Sequence, residues 1–282
     1  MFMGKLYKSA ELMAEAGKRG YGVPAYNAFN YESARMVFDA AERVGTPVII
    51  MLYPGKGMPV NAFADMVKTL GGLAKVPYAL HLDHSPSFEV CMQCIHAGFT
   101  SVMIDASKKP FAENVAETRR VVEAAHAMGI DVEGELGMVG RNEAVNRSLF
   151  TQPEEALAYV EQTGIDALAV AVGNSHGVYI EEPELDIALI GRIKEAVNVP
   201  LVLHGTSMIP VNQLMDAVRT GITKTNIATE YMLYYKEVIA KNVAAPDAPK
   251  IIGALLNSAH EPVTEFIAQK MRVLNPDNVA IL

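Results

Sequence analysis

Tryptophan is absent from this chain, cysteine occurs only twice, and aromatic residues make up 7% of it. Bulky aromatic packing is therefore scarce, and fifteen Met with many Ala and Val point instead to small-residue helices packed on strands. No stretch reaches the roughly 18–20 charge-free apolar residues that a membrane span needs, so no membrane partner is expected. Basic residues number 24 against 32 acidic ones, for a net charge of −8. With no basic tail and no Arg/Lys stripe, no nucleic-acid partner is expected. A small phosphorylated substrate is not excluded, because it feels the local potential and not the net one.

Cys91 and Cys94 form a C-x-x-C inside SFEVCMQCIHAGF, which has helical periodicity and no second pair. Buried helix cysteines are expected there, in preference to a redox pair or a metal site. The first 22 residues, MFMGKLYKSAELMAEAGKRGYG, lack a long apolar core and carry charges throughout. They read as a first helix, not a signal peptide, and the expected compartment is the cytoplasm.

What the chain has is a recurrence. Apolar, β-branched runs fall at 22–29, 46–52, 76–83, 100–105, 130–136, 165–172, 199–205 and 222–227. Helical stretches such as ESARMVFDAAERVG and LDIALIGRIKEAVN lie between them. Strand starts recur about every 22–36 residues, the length of a βα unit. The runs are nearly continuous in apolar residues, as strands buried on both faces require. Gly45, Gly98, Gly129, Gly164 and Gly221 stand where helices would end ahead of the next strand. Eight such units predict an α/β fold, a (β/α)8 TIM barrel. A doubly wound open sheet is the alternative, but no G-x-G-x-x-G follows the first strand. Residues 1–282 are expected to form one barrel domain, with a helical C-terminal extension over about 230–282 that includes a helix at 263–274. The segment 242–250, NVAAPDAPK, reads as the least ordered piece.

The segment YALHLDHSP (78–86) ends an apolar run on two histidines and an aspartate. A polar surface loop would explain it, and so would a metal or acid/base site at a strand end. In a barrel, chemistry gathers at the C-terminal ends of the strands. Those ends carry His81, Asp83 and His84 on the third strand, Asp105 and Ser107 on the fourth, and Glu133 and Glu135 on the fifth. His176 ends the sixth, His204 the seventh, and Asn226 and Thr229 the eighth. His84, His176 and His204 thus converge on one rim. Neutral imidazoles suit zinc or a similar borderline ion, and three protein ligands leave room for substrate or water. Asp83 precedes the first of them, close enough to act on whatever the metal polarises. Gly177, Gly205 and Ser207 offer unhindered amides and a hydroxyl, and Thr229 stands where the helix TEYML begins. Together they would hold a phosphate through amides and the helix dipole, or they are ordinary turn residues and a helix cap.

The motifs ALHLDH (79–84), SVMIDAS (101–107), VEGELG (132–137), TGIDALAVAVGNSHGVY (163–179), LVLHG (201–205) and GITKTNIAT (221–229) carry a resemblance over nearly the whole chain. The chain resembles the class II, metal-dependent ketose-bisphosphate aldolases, the fructose- and tagatose-bisphosphate type. That resemblance implies a (β/α)8 barrel with one catalytic zinc ion per chain held by His84, His176 and His204. It implies Asp83 as the proton shuttle at the C4 hydroxyl or aldehyde oxygen, and Asp105 and Glu135 as holders of a second cation. Glu143, in the loop ELGMVGRNEAV, would take the proton from the ketone donor. Gly177, Gly205, Thr206, Ser207, Asn226 and Thr229 match positions around dihydroxyacetone phosphate. The implied reaction is reversible aldol cleavage of a phosphorylated ketose to that donor and an aldehyde such as glyceraldehyde 3-phosphate, in a homodimer or homotetramer. No lysine Schiff base is needed, and Lys108, Lys109 and Lys224 read as solvated or phosphate-facing.

The match departs in one place. HGTSM, with Thr206 and Met208, stands for the family's H-G-G-S-G, and Ala228 in NIAT replaces an aspartate. Ser85 follows the first ligand, IEEPELD follows HGVY, and the loop GRNEAV brings in Arg141 and loses an acid at Ala144. These changes suggest a modified donor-phosphate site. An unphosphorylated donor such as dihydroxyacetone, a differently charged one, or a non-catalytic sugar-phosphate-binding barrel are the alternatives.

Overall fold

The eight apolar runs become eight parallel strands in a computed structural model that describes residues 4–55, 57–141 and 146–279. They are β1 (Val23–Asn27), β2 (Val48–Leu52), β3 (Tyr78–Ser85), β4 (Ser101–Ile104), β5 (Asp131–Leu136), β6 (Ala167–Val170), β7 (Leu201–Leu203) and β8 (Ile222–Ile227). Each pairs with its sequence neighbours, and β8 pairs with β1 to close the barrel. The expected architecture is therefore the observed one.

Alternation along each strand assigns its two faces. Leu80, Leu82, Ile50, Val102 and Val132 point outward into the main core, where they meet helix residues such as Met36, Val37, Phe63 and Val67. Ala25, Ile49, Met51 and Ala79 point inward. Both faces are buried, hence the continuous apolar reading.

The helix Ser9–Arg19 closes the N-terminal mouth. Leu12 and Ala16 pack on Val23, Ala25 and Ile49, and Met13 packs on Ala167, Ala169 and Val202. Ser9 shares a 2.6 Å hydrogen bond with Ser101, and the Ala10 amide donates to Asp131 at 3.0 Å. Burying each Leu or Met there contributes about 1.5–3 kcal/mol. With that end sealed, the C-terminal mouth is the end of the barrel left open among the described residues.

Three helices follow β8, at Thr229–Ala244, Ile252–Ser258 and His260–Val273. The last packs on the helix Tyr31–Val44, where Arg43 donates to Glu261 and Glu265 at 2.8 and 2.9 Å. Residues 242–244 of the segment expected to be least ordered complete a helix, and the remainder through 250 lies outside helices and strands. Cys91 and Cys94 are buried and free in the helix Phe88–His96, and burial raises their thiols to about 11 and about 12. One feature was not foreseen. Gly140–Arg141 and Ser175–His176 form a two-stranded parallel ladder outside the barrel. It ties the chain after β5 to the segment that carries His176.

Candidate functional site

Asp83 and His84 are adjacent in β3, so regular alternation would send them to opposite faces. Two irregularities bring both to the mouth. The β3–β4 register shifts between Leu82 and Ser85, and His84 adopts a positive φ of 50°. A bulge of this kind re-aims one side chain, and here it swings the imidazole round to join the inward aspartate. Gly205, just after β7, also has positive φ, 60°, and a Cβ there would lie 2.2 Å from the Ser175 carbonyl oxygen. Only glycine lets the His204 and His176 segments approach this closely.

The three imidazoles converge. Ring centroids are 4.6 Å apart for His84–His204, 4.8 Å for His84–His176 and 5.8 Å for His176–His204. One ring nitrogen from each falls within 4.8 Å of the others. A tetrahedral zinc with bonds of about 2.0–2.1 Å needs donors about 3.4 Å apart, so small adjustments complete a coordination sphere. His84, Asp105 and Glu135 form a second cluster of the same kind. His84 Nδ1 is 2.9 Å from Asp105 Oδ2, and Ser107 donates to the other Asp105 oxygen at 2.7 Å. Glu135 Oε2 is buried without a hydrogen-bond partner, 3.9 Å from both His84 Nδ1 and His204 Nδ1. A partnerless buried carboxylate oxygen beside two imidazoles is an arrangement a cation would satisfy.

Electrostatics follow from these contacts. His204 is fully buried, and burial holds its pKa well below the ordinary value, leaving a neutral donor. His84 is mostly enclosed, yet the charges of Asp83, Asp105 and Glu135 overcome the penalty of burial and raise it to about 9. Burial raises Glu135 to about 8, with repulsion from Asp105 adding to it. Asp83 moves the other way. Burial would raise its pKa, but His84, His204 and a hydrogen bond from Asn27 outweigh burial and lower it. Its two oxygens accept from Asn27 at 2.8 Å and Asn226 at 3.1 Å.

Asn27, Asp83, the three histidines, Gly177, Gly205, Ser207, Asn226, Ala228 and Thr229 line one cavity. Nearly all the expected site residues are thus brought together. Thr206 is not among them: it is fully buried, and its hydroxyl donates to the Asn226 carbonyl at 2.8 Å, tying β7 to β8. Thr229 is the first helical residue, and Ala228 holds the cap position. Met208 has φ of 64°, is 39% exposed, and gives its amide to Glu230 at 2.9 Å. The bulky side chain is accommodated outside the cavity, not within it. Glu143 and Ala144 lie outside the described residues. Ahead of them, Arg141 pairs in register with His176.

Lys108 and Lys109 are exposed, as expected, and Lys109 pairs with Glu117. Lys224 corrects the reading. It is completely buried inside the barrel, paired with Glu133 at 2.7 Å, because it shares the inward face of β8 with Asn226. Asn27 was missed, although it follows Val23 and Ala25 at inward spacing in β1. Tyr179 was missed too. Its hydroxyl accepts from the Ser175 amide and donates to the Gly205 carbonyl, both at 2.8 Å, clamping the His176 and His204 segments together.

A closed parallel barrel with an imidazole–carboxylate centre at its open mouth defines a metalloenzyme of the barrel class. The model of the family "Fructose-bisphosphate aldolase class-II" matches residues 7–279. The fructose-bisphosphate aldolase of Geobacillus stearothermophilus is 41% identical over 260 residues, spanning 88% of this chain and 91% of its own. That of Staphylococcus aureus (strain Mu50) is 37% identical over 287 residues, spanning 98% and 99%. Among solved structures, the YdjI aldolase from Escherichia coli K12 superposes with a TM-score of 0.88 at 33% identity, covering 97% of this chain and 99% of that one. The chain belongs to the class II fructose-bisphosphate aldolase family. It is a metal-dependent aldolase, a carbon–carbon lyase. Among the described residues no helix is long and apolar enough to cross a membrane.

Proposed function

We propose that this aldolase reversibly cleaves a ketose bisphosphate of the fructose or tagatose type into dihydroxyacetone phosphate and an aldehyde such as glyceraldehyde 3-phosphate. The observation that carries the reading is the Asp83 carboxylate. It is held by two asparagine amides, 3.9 Å from His84 Nε2, in a cavity that also contains Ser207 and Thr229.

His84, His176 and His204 would hold one zinc ion, with Asp105 and Glu135 beside it for a second cation. A bound zinc supplies Lewis-acid polarisation of the ketone. The lowered pKa keeps Asp83 ionised near neutrality, so it takes the proton of the C4 hydroxyl during cleavage and returns it to the aldehyde oxygen during addition. Asn27 and Asn226 aim both its oxygens, leaving little freedom to lose on reaction. Glu143 is assigned the proton at the donor carbon. Thr229 and Glu230 open a helix whose first amides have no helical acceptor, and with the Gly205–Ser207 segment they favour a phosphate at the donor end. Met208, turned outward, leaves that cradle free. The chain is expected to assemble as a homodimer or homotetramer, with the closed symmetry common among soluble oligomers.

The test is a cleavage comparison with metal-replete protein. Fructose 1,6-bisphosphate should be split and fructose 6-phosphate, which lacks the donor phosphate, should not. Cleavage of the 6-phosphate alone would establish an unphosphorylated donor instead.

A further inference from the structure

Beneath the cavity, the barrel interior holds a charged cluster that the reaction does not use directly. Glu133 and Lys224 come from opposite sides of the barrel, on β5 and β8, and both are buried, at 2% and 0% exposure. Lys224 Nζ donates to Glu133 Oε2 at 2.7 Å and to His81 Nε2 at 3.4 Å. His81 Nδ1 meets Ser101 at 2.5 Å, and Ser101 meets Ser9 on the closing helix. The other Glu133 oxygen, Oε1, lies 2.8 Å from His204 Nε2. A chain of polar contacts therefore runs from the sealed mouth to one of the three converging imidazoles.

A buried ion pair is an expensive way to fill a barrel, since apolar residues of similar volume are commonly as stable or more so. What this pair does that Met and Leu would not is present a carboxylate oxygen to His204. The partners assign the tautomer. Glu133 Oε2 accepts from Lys224 Nζ and Oε1 faces His204 as an acceptor, which assigns the proton to His204 Nε2 and leaves Nδ1 its lone pair. Asn226 Nδ2 gives one of its two amide hydrogens to Asp83 at 3.1 Å, and its contact with the same Nε2, at 3.3 Å, is the longer and weaker competitor to the 2.8 Å contact with Glu133. Nδ1 is the nitrogen that faces His84 Nε2, at 2.8 Å.

We propose that Glu133, pinned by Lys224, is a positioning residue that fixes the tautomer and ring angle of His204 so that Nδ1 is offered to the cation. Lys224 acts only through Glu133. The inference rests on reading His204 as a cation ligand, and the experiment separates the two.

Zinc affinity of the full-length chain would be measured by competition with a chromophoric chelator, and the site's geometry by the visible spectrum of bound Co(II). Wild-type protein that binds no zinc sinks the reading of His204, whatever Glu133 does. Given wild-type binding, Glu133→Gln should weaken zinc by roughly 10–100-fold and shift the Co(II) bands. Glu133→Gln leaves Lys224 buried and unpaired, so the deciding variant is Glu133→Gln with Lys224→Met, which removes both charges. It should keep a near-native melting temperature and show the same affinity loss as Glu133→Gln. A folded double variant with wild-type zinc affinity and an unshifted Co(II) spectrum would overturn the proposal. Should neither variant fold, the ¹⁵N spectrum of wild-type His204 decides: Nε2 protonated with Nδ1 bare supports it, and the reverse tautomer ends it.

Discussion

The two mouths of this barrel are built from the same eight strands and obey opposite rules. At the N-terminal mouth, Val23, Ala167 and Ser101 meet Leu12, Met13 and Ser9 of the closing helix, and apolar burial decides the residue types. At the C-terminal mouth, two to four residues further along, the inward positions are Asn27, Asp83, Glu135, His204 and Asn226. There the groups are polar, coupled and shifted in pKa, and one histidine takes a left-handed backbone to reach its place. Such a site is a poor way to stabilise a barrel and a good way to polarise a carbonyl. On the proposed reading, stability resides at one end and chemistry at the other.

That division can be broken most severely from the chemical end. Chelating the divalent ion should abolish aldol cleavage, and adding zinc back should restore it. Full activity after exhaustive chelation would mean that the imidazole cluster serves some other purpose. Asp83→Ala comes next, with an expected loss of about 10²–10⁴-fold in turnover while zinc stays bound. Unchanged turnover would remove its assigned role in proton transfer. At the sealed mouth the pattern should reverse. Met13→Ala should lower unfolding free energy by about 2–5 kcal/mol, read from denaturant midpoints, with turnover per folded molecule unaltered. A loss of turnover in the folded variant would show that the two ends are not independent.

The smallest effect is in pH. Burial would lower the His84 pKa, but Asp83, the hydrogen bond to Asp105 and Glu135 outweigh it and raise it to about 9, so the ring carries both protons below that pH. A cation must displace the proton on Nε2, so zinc affinity should rise with pH through the range 6 to 8, by up to about tenfold per unit. Competition titrations giving a flat profile would contradict this.

The strands were legible because burial on both faces writes an unbroken apolar run, and the site because polar residues interrupt those runs at one end. His84, Asp83, His176 and His204 could be picked out that way. Lys224 could not. A lysine in ITKTNI reads as solvated until the barrel closes and sets it against Glu133, since nothing local announces a partner 91 residues away. Asn27 and Tyr179 act through contacts with Asp83 and Gly205 that only the closed fold creates. Thr206 illustrates the opposite error, a site motif residue whose hydroxyl is used to join two strand ends.

One diffraction measurement bears on everything above. Crystals soaked in zinc and recorded on both sides of the zinc absorption edge should show one strong anomalous peak about 2.0–2.2 Å from a nitrogen of each of His84, His176 and His204. No peak among these three histidines at saturating zinc would contradict the account.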